Sequence, residues 1–194
     1  MAKKSDQKLT AEVYLKKINN CVHLSKNIIL TPLPWLAKSF VYKKKGIEWI
    51  ANKATIYRGL KFGKNEFDLL VCLPGASMAL ITMEEALSVG ARRVFFIGSG
   101  GSIAGKNRLG DVVINPYSIS VLNPYTEHEK WNEIKSFDVV DMESRYLSDL
   151  AKKKNIEFNS AIIISDAIWR NRWVHSSGKM NEPVRIIKEW LRKI

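Results

Sequence analysis

Short, almost unbroken apolar runs of strand length constrain the fold of this chain more than any other feature of its sequence. The clearest are Asp68–Leu73, Arg93–Ile97 and Ser160–Ile164, which are followed by proline, glycine and serine respectively. A half-buried strand alternates apolar and polar residues, whereas a continuous apolar run is typical of a strand covered on both faces. The runs therefore predict an α/β fold with a mainly parallel central sheet and flanking helices.

Segments with apolar residues at helical spacing lie between these runs. Helices are predicted over 9–22, over 35–44, after Pro74-Gly75, from Asp141 onward and from Val184 to Ile194. Ser77 and Asp141 are the predicted N-caps of two of them, and Gly90 is the predicted end of the first. Further strands are expected at Asn27–Thr31, around Glu48–Ile50 and Ala54–Arg58 (closed by Gly59 and Gly63), and at Gly110–Ile114. The helix between the first two runs predicts a parallel strand pair with a right-handed crossover.

Length and composition indicate a single domain. The chain has 194 residues, and we expect residues 1–194 to form one unit with 1–26 as a peripheral helical or flexible segment. No stretch approaches the roughly 18 consecutive apolar residues of a membrane helix, and the polar N-terminus lacks the apolar core of a secretory signal. Cys21 and Cys72 fit no metal spacing and are expected to be reduced thiols of a cytoplasmic protein. The histidines fit none either, so no metal is predicted.

The chain is strongly basic, with a formal net charge of +12 from 31 Lys plus Arg against 19 Asp plus Glu. A positive surface attracts phosphate whatever the sequence, which would suit a nucleic acid. The lysines are scattered in short groups at predicted helix ends, however, where cations are favourable without a partner. No RNA-binding or zinc-finger signature accompanies them. We therefore favour a solvated basic surface over a nucleic-acid partner, and we expect no membrane partner.

Polar segments follow the predicted parallel strands, at the place where open α/β sheets bind ligands. They are Pro74–Ser77, Gly98–Ser102 and Ser165–Asp166. If Gly98–Ser102 is a turn, its successive N–H groups suit an anion or a sugar oxygen, although the same residues also fit a plain tight turn. The segment has neither the Gly-Lys-Ser/Thr ending of a P-loop nor the GxGxxG spacing of a dinucleotide site.

Two carboxylates are candidate functional groups. Asp166 directly follows an apolar run, so it either acts as a general acid at the mouth of the sheet or caps the loop that follows. Glu143 lies one residue into the helix that is predicted to begin at Asp141. It either complements the dipole of that helix or points into the cleft, where it would accept hydrogen bonds from ligand hydroxyls.

Taken together, these segments resemble the nucleoside phosphorylase/nucleosidase superfamily, which includes purine nucleoside and uridine phosphorylases and methylthioadenosine-type nucleosidases. The resemblance covers roughly residues 27 to 170. Its motifs are Gly75–Ser77, Gly90–Arg93, Phe95–Ser102, Leu109–Ile114, Val140–Ser144 and Ile163–Asp166. It implies a three-layer α/β fold with a mixed, mainly parallel sheet, here in a shortened and divergent member.

The resemblance implies that the chain cleaves the N-glycosidic bond of a nucleoside, as a phosphorylase (a pentosyltransferase) or a nucleosidase in nucleoside catabolism or salvage. It implies that Met142 packs on the ribose, that Glu143 binds the ribose hydroxyls, and that Asp166 protonates or hydrogen-bonds the leaving base, which favours a purine. The nucleophile would lie beside Ser99 and the backbone of Gly98, Gly100 and Gly101. No cofactor is implied, phosphate is the candidate co-substrate, and a homo-oligomer is expected.

The chain departs from the family pattern at the usual phosphate anchors. Phe96 stands where phosphorylases usually carry an arginine, and Thr31–Leu36 is uncharged. The acid with which nucleosidases activate water near the first strand is also missing, and the shortened segment 120–138 implies an open or rebuilt base pocket. The candidate replacements for the anchors, which also fit a solvated loop, are Arg170, Arg172 and Lys179, and Ser165 is a further candidate site residue. The candidate stacking residues, which also fit ordinary packing, are Tyr125, Trp131, Trp169 and Trp173.

These departures leave two other functions open. One is a nucleoside- or nucleotide-binding protein of the same fold that has lost catalysis. The other is a basic protein that associates with nucleic acid, whose binding would depend steeply on salt.

Overall fold

The structure is a computed structural model, and it describes residues 10–17, 23–41, 46–49, 53–103, 106–122, 136–169, 172–175 and 181–194. Of residues 16–17, 167–169 and 172–175 it describes the backbone alone. The described helices are α1 (Ala11–Lys17), α2 (Pro34–Phe40), α3 (Ala76–Ser88), α4 (Ser144–Lys154) and α5 (Asn181–Lys193). The described strands are β1 (Asn27–Thr31), β2 (Ile47–Trp49), β3 (Ala54–Phe62), β4 (Asn65–Val71), β5 (Arg93–Ser102), β6 (Val112–Ile114), β7 (Ser118–Ser120), β8 (Val139–Asp141), β9 (Glu157–Trp169) and β10 (Arg172–His175).

One mixed sheet contains these strands, and its main path runs in the order β10-β9-β5-β1-β4-β3-β2. The central strands β9, β5, β1 and β4 are parallel, and β10, β3 and β2 extend the sheet with antiparallel pairs. Off this path, β6 pairs with β9, and β8 pairs with β5 and β7. The predicted mainly parallel sheet is confirmed. The predicted direct pairing across α3 is wrong, because β1 lies between β4 and β5.

Helices cover both faces of the sheet, so the predicted three-layer architecture is confirmed. On one face α1, α3 and α4 pack against Ile28 and Ile162, and on the other α2 and α5 pack against Ile29 and Ile163. All four side chains are fully buried. Burial of a side chain of this size stabilises a fold by about 1.5–3 kcal/mol. Neighbouring residues of one strand thus lie in different cores, which is why the strands have unbroken apolar runs.

Two predicted strand ends are wrong. β3 runs through Gly59, where the register shifts in a β-bulge. Gly59 has a φ of 62° there and donates its N–H to the buried carboxylate of Asp68 at 2.9 Å. The glycine therefore marks an irregularity within the strand. β9 continues past Asp166 and pairs with β10, where the sequence predicted a polar loop.

The predicted helices are present in the described residues, but some of their ends differ. Gly75, and not Ser77, is the N-cap of α3, with a φ of 106° that favours glycine. α2 ends at Phe40. α1 lies within the predicted segment 9–22, and its Leu15 is buried in the same core as residues of α3. No described helix combines the length and the apolar character that a membrane span requires.

Candidate functional site

The carboxyl end of the parallel strands brings together the segments that the sequence singled out. On one side of β5, Gly101 pairs with Val140 of β8, beyond the stretch that pairs with β1. On the other side, Gly101 pairs with Asp166 of β9. Because adjacent strands lie about 4.8 Å apart, the Val140 and Asp166 backbones lie roughly 10 Å from one another. The chain segments around Glu143 and Asp166 thus flank the end of β5.

The glycine-rich segment Gly98–Ser102 is part of a strand, so its prediction as a turn is wrong. It forms the second half of β5, and the φ of Gly98, Gly100 and Gly101 is not positive. An anion nest needs alternating right- and left-handed backbone, which this extended segment lacks. The glycines permit close packing instead: a Cβ on Gly100 would lie 2.6 Å from the carbonyl oxygen of Val140. Ser99 is half-buried and pairs with Ile163 of β9.

Glu143 occupies the N-cap position of α4, and its side chain reaches the start of α3. Its Oε1 accepts a hydrogen bond from the backbone N–H of Gly75 at 2.8 Å, and the residue is only 3% exposed. The pKa of Glu143 is raised to about 7: burial is the main cause and the nearby carboxylate of Asp141 contributes, while the N–H groups of Gly75 and Met142 oppose the rise. The predicted place one residue inside the helix is wrong, because α4 begins at Ser144. This carboxyl group exchanges its proton near neutral pH.

Asp141 is a second buried carboxylate beside Glu143. Its Oδ1 accepts hydrogen bonds from the hydroxyl of Ser120 and, at 3.2 Å, from the backbone N–H of Ser144. It therefore caps α4 from the end of β8, whereas the N-cap position predicted for it is occupied by Glu143. Its Oδ2 is buried without a hydrogen-bond partner among the described residues, and burial raises the pKa of Asp141. Two coupled carboxyl groups thus lie at the starts of α3 and α4.

Ser120 supports this arrangement, because its hydroxyl donates to Asp141 and accepts the backbone N–H of Arg145 at 3.0 Å. We expect Ser120→Ala to lower the free energy of unfolding by about 1–3 kcal/mol, since the buried carboxylate of Asp141 and the backbone N–H of Arg145 each lose a hydrogen bond. Urea denaturation measures the change. Ser77→Ala is the matched control: this serine is exposed in the first turn of α3 and does not cap it, so we expect a change below about 0.5 kcal/mol. Equal losses would contradict this role for Ser120.

Asp166 lies directly after a register shift in β9, where Ser165 is the extra residue. The Ser165 hydroxyl donates to Asp166 Oδ2 at 2.7 Å and lies 3.4 Å from the carbonyl oxygen of Gly100. Asp166 is half-buried. Because β9 continues beyond it, Asp166 does not cap a loop, and that alternative is wrong. Ser165 orients the Asp166 carboxylate at the end of β5.

The remaining predicted residues differ in how far the structure describes them. Met142, which stands between Asp141 and Glu143 in the sequence, is half-buried. The backbone of Arg172 lies in β10, and Arg170 and Lys179 fall outside the described residues. Of the candidate stacking residues, Tyr125 and Trp131 also fall outside, and Trp169 and Trp173 are described by backbone alone. None of these positions tests the predicted phosphate or base contacts.

Phe96 and Cys72 complete the surroundings of the site. The Phe96 ring is fully buried, and a Cβ on Gly98 would lie 2.7 Å from it, so the ring fills the space beside the glycine segment. The pKa of the Cys72 thiol is raised to about 12, mainly by burial and in part by the charge of Glu143. Sequence reasoning missed Ser120 and the contact of Gly75 with Glu143. The Pro74-Gly75 motif was the sequence signal for the contact with Glu143, and no sequence pattern indicated Ser120.

Comparisons with known proteins relate this chain to others through its structure. No protein-family model matches the sequence, and no curated protein is similar to it in sequence. Purine nucleoside phosphorylase from Toxoplasma gondii, solved in complex with immucillin-H, superimposes with a TM-score of 0.70 at 16% identity, over 88% of this chain and 92% of that one. The Campylobacter jejuni 5′-methylthioadenosine/S-adenosylhomocysteine nucleosidase superimposes with a TM-score of 0.68 at 12% identity, over 87% of this chain and 99% of that one. The chain therefore has the nucleoside phosphorylase/nucleosidase fold.

Proposed function

We propose that this chain cleaves the N-glycosidic bond of a purine nucleoside, with water or phosphate as the nucleophile. The observation that carries the proposal is the convergence of Glu143 and Asp166 at the carboxyl end of the sheet, where β8 and β9 flank the end of β5. Two solved structures of the same fold are a purine nucleoside phosphorylase and a nucleosidase. The names of these two enzymes indicate the class of reaction. The carboxylates of Glu143 and Asp166 are the groups that would bind the ribose and protonate the leaving base.

Glu143 is the proposed ribose ligand. A carboxylate is an acceptor-only group, and vicinal hydroxyls can donate to both of its oxygens. Hydrogen bonds from a ligand favour the ionised form, which burial opposes in the free protein. Ribose binding would therefore be accompanied by proton release near pH 7. Met142, the preceding residue, would pack on the sugar.

Asp166 is the proposed acid for the leaving base. When the C1′–N bond breaks, its electron pair goes to the purine, which must receive a proton or a hydrogen bond to leave. Asp166 would supply it, with its carboxylate oriented by the Ser165 hydroxyl at 2.7 Å. An oxygen of water or phosphate forms the new bond to C1′, and water gives up its proton to solvent. The sugar carries oxocarbenium character in between, which the nearby ionised carboxylate of Glu143 would stabilise.

Release of free base tests the reaction. We expect base from inosine, adenosine or methylthioadenosine and little from uridine, in parallel incubations with and without phosphate. Asp166→Asn should lower kcat/KM for the purine substrates by about 100-fold or more, because the amide cannot deliver the proton. Asp149→Asn, which replaces an exposed carboxylate in the middle of α4, is the matched control and should leave the rate unchanged. An unchanged rate in Asp166→Asn would contradict the role of Asp166 as the acid.

The buried ring of Phe96 favours a second candidate, a nucleoside-binding protein without turnover. Phe96 and the uncharged segment Thr31–Leu36 leave two expected phosphate anchors missing, and a dianion binds poorly without guanidinium or ammonium partners. Thermal stabilisation by nucleosides without release of base, in either buffer, would favour this candidate. Release of base that needs no phosphate would instead identify water as the nucleophile.

A further inference from the structure

We propose that the amino end of the sheet, opposite to the candidate site, binds single-stranded nucleic acid through its phosphodiester backbone. The surface, called here the basic edge, is formed by the starts of the parallel strands and the ends of the helices packed on them. Its exposed basic residues are Lys26, Lys61, Lys64, Arg92, Lys152–Lys154 and Arg192-Lys193. The proposal does not depend on nucleoside cleavage, which concerns the other end of the sheet.

The strand starts bring the first group of these cations together. Asn27, Arg93 and Glu157 are register partners in β1, β5 and β9, so these three strands begin side by side. Lys26 and Arg92 precede two of them, and the Lys26 carbonyl accepts the backbone N–H of Arg92 at 2.8 Å. At the start of β4, the hairpin turn from β3 adds Lys61 and Lys64.

The helix ends bring the second group to the same edge. α4 ends in Lys152–Lys154, two residues before the start of β9. α5 ends against the β3–β4 hairpin: a Cβ on Gly63 would lie 3.1 Å from the Arg192 carbonyl oxygen. Arg192 and Lys193 therefore lie beside the β3–β4 hairpin that carries Lys61 and Lys64.

Most of this positive charge is not neutralised within the described part of the chain. Of the described carboxylates at or next to the edge, Glu157 binds Arg93 at 2.7 and 2.9 Å, Asp68 lies 3.8 Å from Arg58, and Asp149 lies 3.8 Å from Lys152. Glu66 adds an exposed carboxylate at the β3–β4 hairpin. Each helix C-terminus contributes only about half a negative charge. Among the described residues, no carboxylate forms an ion pair with Lys26, Lys61, Lys64, Lys153, Lys154, Arg192 or Lys193, so the excess faces solvent.

The size and character of the edge fit an extended polyanion. Five neighbouring strands from β3 to β9 span roughly 20 Å, the length of about four to six consecutive phosphates. A membrane surface would also attract the charge, but interfacial binding needs apolar side chains that enter the lipid. Apart from the Tyr117 ring in the neighbouring groove, the described strand starts and helix ends of the edge expose no large apolar side chain.

A groove of about 220 Å³ beside Lys152 favours a single strand over a duplex. It runs along α4 from Ser144 at the helix start to Lys152 near the helix end, and Tyr117, Asp149, Phe158 and Ser160 help to line it. Tyr117 is 58% exposed and stacks on Phe137 at 4.5 Å, which holds its ring in place. Bases of a single strand stack on such rings, whereas the bases of a duplex are not accessible to them. We therefore assign the groove to an unpaired base next to the bound backbone.

Fluorescence anisotropy with a labelled RNA of about 12 nucleotides, with DNA of the same sequence and with its duplex, tests the proposal across about 50 to 300 mM salt. Four to six phosphate contacts predict a slope of log K against log salt of about −3 to −4 for the single strands. Lys153→Gln/Lys154→Gln should reduce the slope by about 1.4 and weaken binding several-fold. Tyr117→Ala should weaken binding of the single strands by at least about 5-fold, with a smaller effect on the duplex.

The controls remove the same groups from other places. Lys38→Gln/Lys53→Gln removes two exposed lysines from α2 and from the opposite end of the sheet, and Tyr14→Ala removes an exposed tyrosine from α1. Neither should change the affinity. Equal weakening by the lysine control, a salt-independent affinity, tighter binding to the duplex, or stronger binding to vesicles of anionic lipid would each overturn the proposal. None of the lysine variants should alter the release of base, so failure here is separate from failure of the proposed cleavage.

Discussion

Glu143→Gln is expected to lower kcat/KM for nucleoside cleavage by about 100- to 1000-fold, and yet to make the fold more stable at pH 8. The activity falls because an amide accepts weaker hydrogen bonds from the ribose hydroxyls and cannot stabilise positive charge on the sugar. The contact with the Gly75 N–H survives, because the amide oxygen also accepts it. Steady-state kinetics and urea denaturation of the same preparation measure the two effects.

The stability effect follows from the pKa of the buried carboxyl group. The pKa of Glu143 is raised from 4.5 to about 7, so between these pH values the folded chain holds a proton that the unfolded chain has lost. Stability contributed by this group is fully present below the lower value and is lost as the pH rises through the upper one. Glutamine carries no such charge, so the variant should be more stable at pH 8 by about 1–3 kcal/mol and should lose that pH dependence.

The activity of the parent chain should have the opposite pH dependence. Ribose hydroxyls donate to the ionised carboxylate, so kcat/KM should rise with pH through about 7 in the parent, and this rise should be absent in Glu143→Gln. The apparent pKa belongs to the coupled groups, because Asp141 lies beside Glu143. Glu84→Gln, an exposed glutamate of α3, is the control and should change neither stability nor rate. A variant that is less stable at pH 8 would contradict the burial argument.

The central strands and helices could be predicted from the sequence because burial on both faces is a local property of each segment. Ile28 and Ile29 lie in different cores, and β1 is apolar at both positions because each face of the strand is buried. The placement of β1 between β4 and β5 could not be predicted, since no local pattern specifies which strands pair. Gly59 shows the same limit, because the bulge depends on the distant carboxylate of Asp68.

For the candidate site, the sequence supplied residue types but not their surroundings. The family resemblance indicates both Glu143 and Asp166, and the place of Asp166 after an apolar run supports it further. Their position on either side of the end of β5 follows from the pairing of Gly101 with Val140 and with Asp166, which no spacing in the sequence reveals. The pKa of Glu143 likewise depends on burial and on Asp141, and both require the folded chain.

Gly100→Ala is expected to lower the free energy of unfolding by about 3 kcal/mol. The new Cβ would lie 2.6 Å from the Val140 carbonyl oxygen, 2.8 Å from Val139 Cγ1 and 3.0 Å from Ile162 Cγ2. The nearest of these atoms belongs to the backbone of β8, so a side-chain rotation cannot relieve the contact and β8 must move away from β5. Urea denaturation measures the loss. A change below about 1 kcal/mol would contradict this close approach of β8 to β5.

Gly101→Ala tests whether the segment Gly98–Ser102 needs glycine at every glycine position or only at Gly100, where β8 packs most closely. Its Cβ would meet Val140 Cγ1 at 3.1 Å, and this neighbour is the end of a side chain that can shift by a few tenths of an ångström. We therefore expect a loss of less than about 1 kcal/mol. The two variants should also differ in activity, because Glu143 follows β8 directly and moves with it. A displaced β8 would weaken binding of the ribose in Gly100→Ala, which should raise KM in that variant and leave it nearly unchanged in Gly101→Ala.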